Sequence, residues 1–285
     1  MRCYQLLSIL FGLAIATALP AQEPVADDEL QLGVLSGRFI FDGDSPKPEA
    51  SPLEAIQKDS TLERDNVGRP SGVEYSYLEY LKAGMRPRTV DESLLVGKEG
   101  GLANVLVFAI NRDAKSPLVE SETAKSHVLQ IKNGQFSPRV LMVNAGSKLE
   151  IKNSDPLSFS FHLMAVSNQE INYLLPPNST RSLMLSKPEK TPIRFRSNRQ
   201  SWATGVLLIH DNPHFAVSAA DGTFSIPNLP LGKWKFRAWH EKVGYLNNWP
   251  KGRFRFEIEA GNNELGDVKL AARMFVGEAD LQTEN

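Results

Sequence analysis

The stretch from Arg139 to Leu163, RVLMVNAGSKLEIKNSDPLSFSFHL, decides the fold class. Val140 and Met142, then Leu149 and Ile151, stand two residues apart, the period of a strand with one buried face. Ala145-Gly146 supplies the turn between these strands, and Asn153 to Pro156 closes the second. Pro176-Pro177-Asn178 opens a further pair, and the stretch continues through TPIRFRSNRQSWATGVLLIHDNPHF to Phe215.

Outward from this stretch the same signals recur. Strands are expected near 34–41, 104–110, 140–143, 148–153, 205–210, 223–226, 233–239 and 253–259, with two strands in the final KGRFRFEIEAGNNELGDVKL. Ser45 to Pro52 holds three prolines, which lack the backbone donor a central strand needs, so it reads as a loop. Residues 53–92 have too few regularly spaced apolar positions for a core of their own and read as a surface insertion, with a short helix over Tyr75 to Lys82. Helix is expected to be a small minority, and the fold class all-β.

The chain has 285 residues, 41% hydrophobic and 23% charged, with a net charge of −1. That balance carries no basic footprint for nucleic acid. Arg2, the apolar run Leu6 to Ile15, and small residues at Ala16-Thr17-Ala18 or Leu19-Pro20-Ala21 have the form of a secretory signal peptide over residues 1–21. The run is short for a membrane span, so no stable span is expected after cleavage. Cys3 is the single cysteine and precedes the apolar run, so the mature chain carries no disulfide and no thiolate.

Five motifs in order resemble those of the exported cupredoxin-like proteins of planctomycete bacteria. They are GRFIFDGDSPKP (Gly37–Pro48), LLVGKEGGLANVLV (Leu94–Val107), the VNAGSKLEIKNSD run, DGTFSIPNLPLGKWKF (Asp221–Phe236) and GNNELGD (Gly261–Asp267). The fourth is similar to a carboxypeptidase regulatory-like β-repeat. The resemblance implies a cupredoxin-like β-sandwich over 33–214, carrying the insertion at 53–92. A second, C-terminal sandwich-like repeat over 215–275 follows. Residues 22–32 become a flexible lead-in and 276–285 a tail. Residues 33–111 are expected to supply early strands of the first sandwich.

In that family a histidine follows the Asp-Pro by three residues, and Cys-x-x-His-x-x-Met precedes the last strand. The matching positions here are Phe159, Ser197, Gln200 and Ala203. Phe159 and Ala203 carry no donor atom, and a hydroxyl and an amide are poor copper ligands. The resemblance therefore implies vacated copper-ligand positions, with no metal and no cofactor. His162, three residues beyond Phe159, is expected to face the other side of the strand. His210 and His214 are separated by a DNP turn, and His240 reads as a strand-end residue. Asp155 and Glu241 read as cap and turn residues. Most late aromatics alternate as core residues, leaving Tyr245 and Trp249 as candidates for stacking on a ligand.

No nucleophile elbow or zinc-binding helix is present, so no catalytic residue is assigned and the chain is expected not to be an enzyme. The expected role is a secreted or periplasmic binding or structural module, whose partner is an unidentified protein or polysaccharide of the cell envelope. Two rivals stand beside it: an electron-transfer protein holding copper at a non-standard site, and an accessory carbohydrate-binding module.

Overall fold

The computed structural model describes residues 31–44, 72–110 and 125–275. The expected signal peptide, nearly all of the lead-in, much of the insertion and the tail fall outside the described residues.

In chain order the strands are β1 (Leu32–Asp42), β2 (Leu106–Ala109), β3 (Ser126–Lys132), β4 (Gln135–Ser137), β5 (Val140–Asn144) and β6 (Ser147–Asn153). Then come β7 (Phe159–Leu163), β8 (Ile171–Leu175), β9 (Thr180–Leu185), β10 (Ile193–Arg196), β11 (Thr204–His210) and β12 (Phe215–Val217). The last are β13 (Thr223–Pro230), β14 (Gly232–His240), β15 (Gly244–Tyr245), β16 (Arg253–Ile258) and β17 (Gly261–Ala271). One α-helix, α1 (Gly72–Lys82), and three short 3-10 turns complete the described residues. The fold class is all-β, as expected, and each of the eight expected strands is present.

Four sheets form, in the orders β13-β1-β17, β12-β2-β14-β15 with β16 on β14, β5-β11-β10-β7-β8, and β4-β3-β6-β9. Three apolar layers separate them. Leu129, Ile151, Phe161 and Leu207 belong to the layer between the last two sheets. Phe39, Val107, Ile226 and Phe236 belong to the layer between the first two. A thinner layer of Leu106, Phe108, Val140, Met142, Val206 and Leu208 joins the two sandwiches through their facing sheets. Side chains alternate across a strand, so β2 and β11 reach a different layer with each successive residue and are buried on both faces. That is why they read LVFA and VLLI, continuous apolar runs without polar alternation.

The grouping of the early strands differs from the sequence expectation. β1 lies between β13 and β17, parallel to the latter, and β2 pairs antiparallel with β12 and β14. β1 and β2 thus complete the sheets of the C-terminal half, and the 126–210 sandwich is interposed in the chain between β2 and β12. Backbone approach explains the glycines of the early motif. A Cβ at Gly101 would collide with the backbone of Asp221, and one at Gly97 with the Ala220 carbonyl. The GKEGGLAN segment therefore lies directly against the turn that opens β13.

Candidate functional site

The site is built where β7 begins and β10 ends, at the loop 197–203. In β7, Phe159, Phe161 and Leu163 point into the core, while Ser160 and His162 occupy the alternate positions. β10 alternates likewise, burying Ile193 and Phe195 and exposing Arg194 and Arg196. Beyond it the chain folds back sharply. The Ser197 amide donates to the Ala203 carbonyl at 3.0 Å, and the Ala203 amide to the Gln200 carbonyl at 2.8 Å.

All four positions assigned by resemblance are buried, Phe159 wholly and the other three to 2% exposure. They separate by environment. Phe159 and Ala203 belong to the apolar core, where the Phe159 ring meets Phe136 edge-on with centroids 5.2 Å apart. Ser197 and Gln200 belong to a hydrogen-bonded chain. The Ser197 hydroxyl donates to Gln200 Oε1 at 2.5 Å, so Ser160 must be the donor in its 2.8 Å contact with Ser197. Ser197 Oγ also accepts from the Gln200 amide, and Ser160 Oγ accepts from the amides of Asn198 and Arg199. Ser160 is the member that sequence reasoning missed; a serine beside an aromatic in a strand carries no distinguishing mark.

These residues do not fit a copper ion. Two have no donor, and the oxygens of the other two are engaged with each other and with backbone amides. His162 lies on the face opposite Phe159, as its spacing predicts. Its Nε2 is 2.6 Å from Glu170 Oε1 and its Nδ1 3.3 Å from Asn198 Oδ1. Among the described residues no group of three or more His, Cys, Asp or Glu is placed to hold a metal.

Helix α1 covers this end. Trp202 donates its indole N–H to the Gly134 carbonyl at 2.9 Å and takes the rings of Tyr77 and Tyr80 edge-on. Asp155, expected to be a simple cap, is a buried carboxylate. It accepts the amides of Asn133 at 2.6 Å and Gly134 at 2.7 Å, and the Tyr80 hydroxyl at 3.1 Å. Burial, followed by the charge of Asp155, drives the Tyr80 hydroxyl pKa strongly upward, so it stays a donor. Asn153 fixes the adjoining loop, donating to the carbonyls of Leu157 and Pro176 and accepting the Asp155 amide.

The remaining expectations fall elsewhere. Tyr245 and Trp249 are half-buried, and neither ring has two open faces. The Arg237 guanidinium lies 4.6 Å from the Tyr245 centroid, and Trp249 stacks on Phe254 at 4.6 Å. Glu241 is more than a turn residue. Arg139 Nε and Nη2 grip its carboxylate at 2.7 and 3.1 Å, and Nη2 also reaches Thr204 Oγ1, so the pair bridges the two sandwiches. His240 is wholly buried, its ring edge-on to Phe275.

No family model matches the chain, and no curated protein matches it. Among solved structures, partial likeness is found to copper proteins. The chain is similar to a Cu-containing nitrite reductase from Thermus scotoductus at 14% identity, over 30% of this chain and 22% of that one, with a TM-score of 0.27. An amicyanin mutant matches at 16% identity over 30% of this chain and 82% of its own, with a TM-score of 0.26. A purple cupredoxin from Nitrosopumilus maritimus matches at 14% identity over 30% and 99%, with a TM-score of 0.25. The chain thus spans under a quarter of the nitrite reductase. Likeness at this level says nothing of ligand or reaction.

Proposed function

We propose that this is an exported, non-enzymatic binding or structural protein of the periplasm or cell envelope, built on a cupredoxin-like sandwich that has given up its copper. The observation that carries the reading is the state of the four positions. Phe159 and Ala203 fill apolar core, and the Ser197 hydroxyl is donated to Gln200. A site kept for metal leaves donors converging on a vacancy; here the Ser197 hydroxyl and the Gln200 side-chain oxygen satisfy each other, which removes the cost of burying them unpaired. The signal-like residues 1–21 support export, and the partner is an unidentified protein or envelope polysaccharide.

The test is copper loading of the full mature chain. Dialysed protein is expected to retain no stoichiometric copper and to show no intense thiolate-to-copper band. One chelator-resistant equivalent per chain would overturn the reading, with His162 the first residue to replace. A variant carrying Phe159→His, Ser197→Cys, Gln200→His and Ala203→Met is expected to gain blue absorption. If it folds without binding copper, the descent of this end from a copper site is refuted.

A further inference from the structure

Strand β10 carries two arginines on the face of its sheet that joins the sandwiches. Val206, opposite Arg194 on β11, belongs to the joining layer, while Arg194 and Arg196 stand outside it and are exposed. Beside them opens a cavity of about 290 Å³, whose wall includes both arginines, Met164, Asn198, Ser201 and Thr204. Among the described residues no carboxylate lines it. Neither guanidinium is engaged elsewhere: among the described residues neither makes a hydrogen bond, an ion pair or a ring contact. Strand alternation sets their Cα atoms roughly 7 Å apart on one face, near enough for the charges to repel and for one anion to accept from both.

The acids around the cavity are already committed. Arg194 and Thr204 also line an adjoining polar cleft, which contains Glu241 and Asp91. Arg139 holds Glu241 at 2.7 and 3.1 Å, and Asp91 accepts the Ser93 amide and hydroxyl at 2.8 Å and lies 3.3 Å from Lys242. Glu170 lies 2.6 Å from Nε2 of His162, the residue opposite Arg196 on β7. Glu241 also shows that one guanidinium suffices for a carboxylate, since Arg139 grips it through Nε and Nη2. Two guanidiniums provide for more oxygens and more charge. Thr204 Oγ1, opposite Arg196, accepts Arg139 Nη2 at 2.9 Å and keeps its own proton to donate. The exposed Asn198 and Ser201 bring further polar groups to the same wall.

We propose that this cavity binds a tetrahedral oxyanion, the phosphate or sulfate group of a small ligand. Arg194 and Arg196 hold the group between them, with the Thr204 hydroxyl as a third donor, and Met164 gives the remainder of the ligand an apolar contact. The copper reading concerns the core side of the 197–203 loop and this one its outer face, so either can fail alone.

Calorimetric titration of the full mature chain tests it at about 0.15 M salt, where chance pairing of surface charges is screened. Inorganic phosphate and inorganic sulfate are the probes, and acetate is the control. Saturable binding is expected for at least one probe, without competition from acetate at equal concentration. Phenyl phosphate and phenyl sulfate then separate the two sources; the ester bound more tightly identifies the group, and either order, or a tie, upholds the shared chemistry. Arg194→Gln and Arg196→Gln are each expected to weaken binding about tenfold or more, the equivalent of about 1.4 kcal/mol. Arg255→Gln, which removes an exposed arginine of β16 outside this cavity, is expected to leave binding unchanged. Both cavity arginines are exposed, so their variants are expected to fold. The backbone amide resonances of Asn198, Ser201 and Thr204 in the unaltered chain give a second readout and are expected to move as the probe saturates. The proposal is overturned by no saturable binding of either probe, or by equal competition from acetate. Unchanged binding by the folded Arg194→Gln and Arg196→Gln chains, an equal loss in Arg255→Gln, or unmoved resonances at the three residues would overturn it as well.

Discussion

Phe159 shows how a single position sets the character of its surroundings. With no exposed surface and its ring against Phe136, it behaves as an ordinary core aromatic. Phe159→Ala is expected to cost about 3–5 kcal/mol in urea denaturation, the range for emptying such a position. A loss below about 1 kcal/mol would mean the ring fills nothing that matters. Ser197→Ala tests the polar half, since it strands Gln200 Oε1 and the Ser160 proton together. A cost of about 1–3 kcal/mol is expected, larger than for an exposed serine. His240 supplies the clearest pH dependence. Burial lowers its pKa to about 4, with the charges of Arg139 and Lys242 adding to the effect against an opposing interaction with the Ala103 backbone. The folded value lies below the unfolded one of about 6.5, so between those limits the unfolded chain binds the extra proton. Stability from this group is therefore full above pH ~6.5 and lost as pH falls towards about 4, by about 3 kcal/mol in all. His240→Phe is expected to flatten that part of the stability–pH curve, measured as denaturation midpoints. An unchanged slope would show that other groups set it.

At the scale of elements, α1 is held over the 197–203 loop by a few contacts: Tyr80 to Asp155, Tyr77 and Tyr80 against Trp202, and Glu79 near Arg199 at 3.5 Å. Tyr80→Phe keeps the ring and removes one of three donors to Asp155. It is expected to cost about 1 kcal/mol and to speed amide exchange in α1 while leaving β10 and β11 protected. Equal acceleration in all three elements would mean that α1 opens only with the core. The sequence marked this helix from Tyr75 to Lys82 but not its role, because the loop it covers lies more than a hundred residues further on. The expected strands were those with strict alternation or unbroken apolar runs. β8 escaped notice because it is an edge strand, INYLL, whose middle residues face solvent, so that polarity follows solvent and not a period. Phe159, Ala203 and the opposed facing of His162 could be read from type and spacing. The Ser160–Ser197–Gln200 chain could not, since a hydroxyl's partner is decided by which strands become neighbours.

For the whole molecule, what decides behaviour is the layer between the sandwiches. The sequence carried its signal in LVFA and VLLI, strands buried on both faces, but gave no means of telling what would cover the second face. Nor could local pattern reveal that β1 would lie parallel to β17, more than two hundred residues away. Opening the two halves would expose Leu106, Phe108, Val140, Met142, Val206 and Leu208. At about 1.5–3 kcal/mol per buried side chain, that is on the order of 10 kcal/mol, an amount comparable to the stability of a domain. One calorimetric transition is therefore expected, with both halves melting together. The Arg139–Glu241 pair lies across the same junction, its side chains 16% and 7% exposed. Removing one partner leaves a mostly buried charge without its counter-ion, whereas removing both leaves nothing to compensate. Glu241→Gln is expected to cost about 3 kcal/mol, and Arg139→Met with Glu241→Leu to recover most of that loss. Both are read from the midpoint of the single transition. If the double replacement is as unstable as Glu241→Gln, the ion pair is a net source of cohesion between the halves, and the apolar layer does less than its composition implies.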